Sequence, residues 1–336
     1  MTKVTEKMKN KNFSVPAFTA PLVAVVILSI ILTIASPNFL TLGNWMNILR
    51  QTSINAMVSL GMLMILLTGG VDLSVGSMVA LSSCAMGVLM KNGVTNPLVL
   101  VIAALVTGTI CGLINGLLFT KLRLPHPFVS TMGARQVYRG LALLITGAAP
   151  IGGFPESITF VGSANIGRFP VCFIVVALVF VVASLFLGKT ALGRKIYSVG
   201  GNREAARLSG INVPRTLNFV YICSGIMCAI AGIIMVGRVG TASPLAGETY
   251  DSDAIAACVI GGASFNGGRG TASGALMGAL LIAVIRNGLN LLGAQTDIQY
   301  IVIGVVIILA VLIDVIRGDN AAKNRLKERA KRMKAV

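Results

Sequence analysis

The feature that most constrains this chain is a series of apolar stretches that recurs along almost its whole length. A helix needs about 20 mostly apolar residues to cross the hydrocarbon core of a bilayer. Polar, glycine-containing or proline-containing turns divide the sequence into ten such stretches. They are residues 17–36, 45–68, 74–90, 98–120, 127–146, 170–188, 217–237, 253–262, 271–292 and 298–316. The sequence therefore predicts an all-α polytopic membrane protein with about ten transmembrane helices. The eighth stretch, residues 253–262, is long enough to cross the membrane only if the neighbouring glycines extend it.

The charge of the chain supports this prediction. Only 12% of the 336 residues are charged, whereas a soluble domain carries about 25%. Mean hydropathy is +0.86, and the two values together exclude a soluble enzyme. The net charge of +17 comes largely from basic residues before Phe18, between Lys189 and Arg215, and after Asp314. Basic clusters beside apolar runs are typical of membrane proteins, so we expect them to face a lipid membrane and not a nucleic acid.

The positions of these basic stretches predict the topology. Six predicted spans separate the N-terminal tail (1–16) from the loop 189–215, and four separate that loop from the C-terminal tail (317–336). Both numbers are even, so all three basic stretches lie on one side, which the positive-inside tendency makes cytoplasmic. We therefore expect two cytoplasmic tails and a single transmembrane domain, residues 17–316, that includes a cytoplasmic loop at 189–215.

Two apolar regions are interrupted by glycine in a similar way. In one, Gly69 and Gly70 precede a polar patch and Gly76; in the other, Gly261 and Gly262 precede a polar patch and Gly270. Interrupted segments in both halves of a chain point to broken helices around a transport path. The pattern predicts some broken or short helices and suggests an inverted internal repeat.

Enzyme signatures are weak in this sequence. The glycines of residues 262–269 are spaced like a phosphate-binding loop, but the following Lys-Ser/Thr pair is missing. The single histidine, His126, lies between two prolines at a predicted membrane boundary and is better interpreted as a hydrogen-bonded turn residue than as a catalytic base. The six cysteines lie in apolar segments without a CxxC pair, as small packing residues do. We expect no enzyme activity, metal or cofactor in this chain.

The basic loop 189–215 contains a short helical signal. Glu204, Ala205 and Ala206 favour a helix that Asn202 can cap, and Gly210 can end it. The small alanines leave a low surface that another protein could approach closely. The segment is therefore either a solvated basic loop or a docking helix for a cytoplasmic partner.

Polar residues inside the predicted spans are candidates for a translocation pathway or gate. They are Asp72, Ser74, Asn55, Asn115 and Asn287. Hydrogen bonds between helices are an equally good interpretation, and Asp72 could instead cap the helix that follows it. Arg135 and Arg139 lie four residues apart on one helical face and should repel each other if unpaired. They are expected to face water, lipid phosphate or a carboxylate, and Asp72 is one candidate.

Three acidic residues, Glu248, Asp251 and Asp253, precede the short eighth stretch. The predicted topology places them at the external mouth of the protein. They form either a docking point for an extracytoplasmic protein or a solvated acidic rim.

Several motifs carry a resemblance to a known family. Glu204-Ala205-Ala206, followed after three residues by Gly210, resembles the coupling-helix motif of ATP-binding-cassette importer permeases. Residues 69–77, 200–202 and 253–257 resemble hallmarks of the ribose/xylose/arabinose/galactose permease family. Further segments are most similar to its ribose-transporting members. They are residues 36–39, 209–213 and 287–293.

The resemblance implies a larger machine in the bacterial inner membrane. Two permease subunits, most simply a homodimer, would form the path for a monosaccharide, and an extracytoplasmic sugar-binding protein would deliver it. Separate cytoplasmic ATP-binding subunits would hold ATP and Mg, and Glu204, Ala205, Ala206 and Gly210 would transmit their closure to the spans. The alternatives that the residues leave open are an ion-coupled secondary transporter and an intramembrane enzyme.

Overall fold

The computed structural model describes residues 18–122, 124 and 126–333, with side chains as far as Ile316. Within these residues the chain forms thirteen α-helices and four two-residue strands. The helices are α1 (Thr19–Ala35), α2 (Leu42–Leu67), α3 (Val75–Lys91), α4 (Pro97–Thr120), α5 (Pro127–Thr146), α6 (Glu156–Ser163), α7 (Val171–Lys189), α8 (Ala191–Gly201), α9 (Arg203–Leu208), α10 (Val213–Val239), α11 (Tyr250–Ile260), α12 (Ala272–Leu291) and α13 (Thr296–Met333). The strands are β1 (Ile151–Gly152), β2 (Asn165–Ile166), β3 (Phe169–Pro170) and β4 (Thr241–Ala242).

Each of the ten predicted spans coincides with one helix, and α6, α8 and α9 lie in the connections. By length and hydropathy, six helical segments suffice to cross a membrane: α2, α4, α7, α10, α12 and the part of α13 up to Ile316. The helices α1 and α3 are apolar but shorter. The prediction of an all-α polytopic membrane protein is confirmed. The predicted tail 1–16 lies outside the described residues, whereas most of the tail 317–336 continues α13.

The centre of the molecule is the long helix α10, which packs against α2, α3 and α4. Glycines allow the closest of these contacts. A Cβ atom on Gly108 or Gly112 of α4 would overlap a backbone carbonyl oxygen of α10, and one on Gly225 would overlap the Gly108 carbonyl oxygen. Apolar side chains gain little by leaving lipid, so close backbone approach at small residues is a main source of helix association in membranes.

The strands close one end of the bundle, called here the strand end. Ile151 pairs with Ala242 between β1 and β4, so the loop before α6 is joined to the stretch after α10. Helix α6 packs on the end of α10, where Gly162 touches Gly237. The opposite end contains α8 and α9 and is called here the α9 end.

Two helices begin inside the molecule. The strand β4 and the turns that follow it carry residues 240–249 along α3 without a helix, since Ala242 lies against Gly87 and Gly247 against Gly76. Those two glycines of α3 are eleven residues apart, a rise of about 16 Å. Helix α11 therefore starts deep in the bundle, next to the start of α3.

The helices α3 and α11 run from this point to opposite ends of the molecule. Helix α3 ends at β1 and β4, whereas the residues after α11 reach the α9 end, where the Gly268 N–H donates to the Leu67 carbonyl at 2.9 Å. Opposed broken helices are the arrangement found in transporters with inverted repeats. The two glycine-interrupted stretches singled out in the sequence, by contrast, lie together at the α9 end, with Gly267 against Gly69.

Candidate functional site: a coupling helix and a polar cleft

The predicted helix in the basic loop is present as α9. Asn202 Oδ1 accepts a hydrogen bond from the Ala205 N–H at 2.9 Å, and Glu204 pairs with Arg207 at 2.8 Å. Gly210, at φ +80°, stands two residues beyond α9. Glu204, Ala205 and Gly210 are exposed, whereas Ala206 is buried against Leu217 and its neighbours. The exposed face also presents Leu208, 78% accessible, which sequence reasoning did not select because the exposure of one leucine is not visible in the sequence.

Helix α8 connects α9 to the membrane-spanning part. The Tyr197 hydroxyl donates to the Gly270 carbonyl at 2.9 Å. Burial raises the pKa of Tyr197, so the hydroxyl keeps the proton that it donates. Gly200 packs directly on the Leu67 carbonyl group at the end of α2 and on the Gly268 nitrogen. Helix α8 therefore contacts both glycine-interrupted stretches directly.

Three of the predicted pathway residues form one buried cluster. Asp72 Oδ1 accepts from the Ser74 N–H at 2.8 Å and from the Ser74 hydroxyl at 2.6 Å, while Asn115 Nδ2 donates to Asp72 Oδ2 at 3.1 Å. Tyr138, which sequence reasoning did not select, donates to Asn115 Oδ1 at 2.9 Å. Asp72, Ser74 and Asn115 are all fully buried. The cluster therefore joins α4 and α5 to the residues before α3. Asp72 accepts the N–H of Ser74, but α3 itself receives no side-chain cap bond, so the alternative of a capping role for Asp72 is wrong.

The remaining two predicted pathway residues have different surroundings. Asn287 of α12 exchanges two hydrogen bonds with Asn44 of α2, at 2.7 and 3.0 Å, and so ties the two helices together. Asn55 lines a small cavity, described below.

The suggested pairing of Arg135 or Arg139 with Asp72 is wrong. Arg135 Nη1 instead donates to Asp251 Oδ2 at 2.9 Å. Arg139 donates to the carbonyl oxygens of Pro244 and Ala246. A non-helical segment inside a membrane leaves part of its backbone groups without a partner of its own, and a guanidinium supplies up to five donors. Arg135 also donates to the Glu248 carbonyl at 3.3 Å, so the two arginines stabilise the non-helical segment 240–249, which the sequence alone did not reveal.

The interpretation of Asp251 and Asp253 as part of a solvated rim is also wrong. Both carboxylates are buried, 3% and 2% exposed, because the segment 240–249 carries the start of α11 into the bundle. Asp253 receives Arg286 of α12, with Nη2 to Oδ1 at 2.7 Å and Nε to Oδ2 at 3.1 Å. Glu248 is exposed, as a rim residue would be.

Arg135 and the pair of Asp253 and Arg286 form one wall of a cleft of about 340 Å³ between α5, α11, α12 and α13. Arg135, Glu248, Thr249, Ser252, Asp253, Arg286 and Tyr300 provide its polar lining, and Ile303, Gly304 and Ile307 provide the rest. Thr249, Asp253 and Arg286 separate it from a second cavity of about 150 Å³, which is also lined by Gln51, Asn55, Arg238 and Tyr250. The cleft offers donors, acceptors and one aromatic ring to a small polar molecule.

Most of the polar residues of this cleft escaped sequence reasoning. Arg286 gave the clearest signal, since a lone arginine in a predicted membrane span needs a buried carboxylate partner. Ser252, Thr249 and Tyr300 carry no such signal, because short polar side chains and tyrosines are common in and beside membrane helices.

Fold and site together define a multi-pass membrane protein with a polar cleft between its helices. The family described as the permease component of the branched-chain amino acid transport system matches residues 44–311. The chain is 43% identical to the ribose import permease protein RbsC of Bacillus subtilis over 296 residues, 88% of this chain and 91% of that protein. With RbsC of Escherichia coli K12 it shares 43% identity over 297 residues, 87% of this chain and 92% of that protein.

A third relative is the D-allose transport system permease protein AlsC of Escherichia coli K12, 37% identical over 314 residues, 92% of this chain and 96% of that protein. No solved structure matches the chain. The chain belongs to this family of transport permease components. The resemblance seen in the motifs is thereby confirmed, as is the prediction of a transport subunit rather than an enzyme.

Proposed function

We propose that this chain is the membrane-spanning subunit of an ATP-driven, binding-protein-dependent importer of a monosaccharide, a ribose-like pentose or a related sugar. The names of its relatives, which are import permeases for ribose and a transport permease for allose, support this substrate class. The chain lies in the bacterial inner membrane as one transmembrane domain (17–316), with the tails 1–16 and 317–336 in the cytoplasm. ATP and Mg bind to separate cytoplasmic subunits, and an extracytoplasmic protein delivers the sugar.

The observation that carries the proposal is the geometry of α8 and α9. Helix α9 is short, capped and exposed, and it presents Glu204, Ala205 and Leu208 at the surface. It is also held from behind, because Arg203 lies 5.2 Å above the Phe119 ring of α4. A partner that binds the exposed face of α9 moves α8, and with it the C-terminal end of α2 and the loop 261–270. This is a mechanical link between ATPase closure and the spans.

The cleft is the proposed sugar pathway. Glu248, Ser252 and Tyr300 are exposed there, yet the surrounding surfaces of α5 and α13 carry apolar side chains such as Val137 and Ile301. Charged groups are costly against hydrocarbon, so the open side of the cleft requires water or protein. A second copy of the chain placed over this face would enclose the cleft in a homodimer.

The lining of the cleft favours weak binding of a sugar, as a transport pathway requires. Its two arginines face two carboxylates, Glu248 and Asp253, so the charges of the lining residues balance. Sugar hydroxyls can exchange hydrogen bonds with such groups, while the ion pairs of Arg135 and Arg286 already satisfy much of their capacity. Binding is then weak enough for release.

The test is sugar uptake by proteoliposomes that hold this chain, its ATPase and its binding protein. Glu204→Ala is compared with Glu156→Ala, a matched control in which another exposed acid is removed from the first turn of a short helix. We expect Glu204→Ala to lower ATP-dependent uptake at least about tenfold, a loss of roughly 1.4 kcal/mol of coupling free energy, and to weaken copurification of the ATPase. Glu156→Ala should leave ATPase copurification unchanged.

One result would overturn the proposal in favour of an ion-coupled secondary transporter. It is uptake that proceeds without ATP and the binding protein and collapses when a protonophore is added. Unchanged uptake in Glu204→Ala, with ATP still required, would instead show that the ATPase docks elsewhere.

A further inference from the structure

A third polar cavity lies away from the cleft and from the exposed face of α9. It measures about 290 Å³ and is lined by Leu192 and Lys195 of α8, Asn212, and Arg215, Thr216 and Phe219 of α10. We infer that this pocket binds the phosphate headgroup of an anionic phospholipid.

The pocket lies at a membrane boundary. The apolar helix α7 ends at Lys189, and the apolar run of α10 begins after Arg215. Lipid phosphates lie at this level, between the hydrocarbon core and water. The location is the same whichever side of the membrane this end faces, so the inference does not rest on the proposed function.

The charges of the pocket favour a phosphate. Among the described side chains, neither Lys195 nor Arg215 has a carboxylate within ion-pair distance, and no acidic residue lines the pocket. Asn212 Oδ1 already accepts the Arg215 N–H at 3.0 Å, which leaves its amide N–H groups to donate. A guanidinium, an ammonium and an amide are well suited to phosphate oxygens.

The apolar side of the pocket distinguishes a lipid from a soluble phosphate. The Phe219 ring lies 5.7 Å from the Phe186 ring of α7. From there, exposed apolar side chains continue along one face of α7, at Leu185, Val182 and Leu178. An acyl chain can follow this face into the membrane, whereas a soluble phosphate has no apolar part to place there. Basic pockets between transmembrane helices at the membrane surface are known to bind anionic headgroups.

A bound lipid would join α8 to α10. Lys195 lies two residues before Tyr197, whose hydroxyl holds the loop 261–270, and five before Gly200, which rests on α2. Anionic lipid should therefore raise the thermal stability of the purified protein more than a zwitterionic lipid does.

The experiment measures binding of dioleoyl-phosphatidylglycerol to the purified full chain in detergent by native mass spectrometry, with dioleoyl-phosphatidylcholine as the neutral lipid. Lys195→Gln/Arg215→Gln is compared with Lys189→Gln/Arg194→Gln, which removes two exposed charges near the same boundary but outside the pocket. At about 1 kcal/mol per basic residue, we expect the pocket variant to bind phosphatidylglycerol at least about tenfold more weakly. The control variant should bind phosphatidylglycerol almost as tightly as the unmodified chain. Binding of phosphatidylcholine should be the same for both variants and the unmodified chain.

Three outcomes would overturn the inference. Equal losses in both double variants would mean that only general surface charge attracts the lipid. Binding of inorganic phosphate alone, with the same dependence on Lys195 and Arg215, would identify a soluble phosphate as the ligand. Unchanged lipid binding together with lost ATPase copurification would assign the pocket to a protein. If the double variant fails to fold, the single variants Lys195→Gln and Arg215→Gln carry the same comparison.

Discussion

The two helices that begin inside the bundle are stabilised in different ways. At the start of α3, Asp72 is fully buried and bonds only to neutral donors, those of Ser74 and Asn115. At the start of α11, Asp251 and Asp253 are buried as well, but each carboxylate meets an arginine. Carboxylates are favourable at helix N-termini in both cases, because the helix dipole is positive there.

This difference indicates which of the two regions can change its conformation more easily. The Asp72 cluster is closed on all sides and behaves as part of the core. The arginines at α11 are partly exposed, with 35% of the Arg135 side chain and 16% of the Arg286 side chain accessible, and they face the cleft. A charged pair in contact with water can exchange its partners at lower cost than a buried neutral network. We therefore expect the α11 region to move during transport and the α3 region to hold its shape.

The largest effect is expected at Arg286. The change Arg286→Ala leaves the buried Asp253 carboxylate without its cation, and removing one partner of a buried pair costs about 3–5 kcal/mol. Thermal unfolding of the purified protein should show this as a large loss of stability, together with poor expression.

The control for this prediction is the double variant Asp253→Asn/Arg286→Gln. It replaces the ion pair by neutral groups of similar size and should recover at least half of the lost stability. If Arg286→Ala is as stable as the unmodified chain, the pair does not hold α11 and the proposed contrast between the two regions fails.

A smaller effect is expected at Asp72. The change Asp72→Ala leaves the Ser74 N–H, the Ser74 hydroxyl and the Asn115 amide without their acceptor, at a cost of about 2–3 kcal/mol. Asp72→Asn keeps the shape and one acceptor and should cost about 1 kcal/mol. The stability of both variants is measured by thermal unfolding, together with that of the variant Asp253→Asn.

The two asparagine variants, Asp72→Asn and Asp253→Asn, test directly the contrast between the α3 and α11 regions. Asp253→Asn removes the partner of a cation, so it should be the more destabilising of the two. The opposite order would mean that Asp72 neutralises a cation in the assembled membrane protein.

The smallest effect on stability is expected at Ser252, whose side chain is exposed in the cleft. Ser252→Ala should change the free energy of unfolding by less than about 0.5 kcal/mol. If the cleft is the sugar pathway, the same change should lower uptake in proteoliposomes several-fold, since it removes a hydroxyl that can bind the sugar. Ser163→Ala, an exposed serine of α6 outside the cleft, is the matched control, and equal uptake by both variants would contradict the assignment of the pathway.

Much of the fold could be predicted from residues close together in the sequence. The predicted span 127–146 has the bounds of α5, and the predicted eighth stretch overlaps α11 over most of its length. The helix α9 and its Asn202 cap also followed from the sequence, because a capping side chain acts only three residues away.

The side-chain partners could not be predicted in the same way. Arg135 and Asp251 are 116 residues apart, and Asn115 and Asp72 are 43 apart. Asp251 and Asp253 looked like surface residues because the sequence does not reveal that residues 240–249 run beside α3. The cleft depends on four helices at once, and sequence reasoning singled out only Arg135, Glu248 and Asp253 of its polar lining.

The sequence by itself therefore determined the order and approximate bounds of the apolar helices and the short capped helix between them. These properties depend on the transfer of a continuous stretch of about 20 residues into the bilayer and on bonds within one helical turn. Only the tertiary structure decided which face of each helix is buried and which polar groups meet. The physical reason is that lipid and protein core are equally apolar, so a membrane helix such as α10 carries apolar residues all round. Close contacts at Gly108, Gly225 and Gly76 then set the packing, and with it the positions of the arginines and carboxylates.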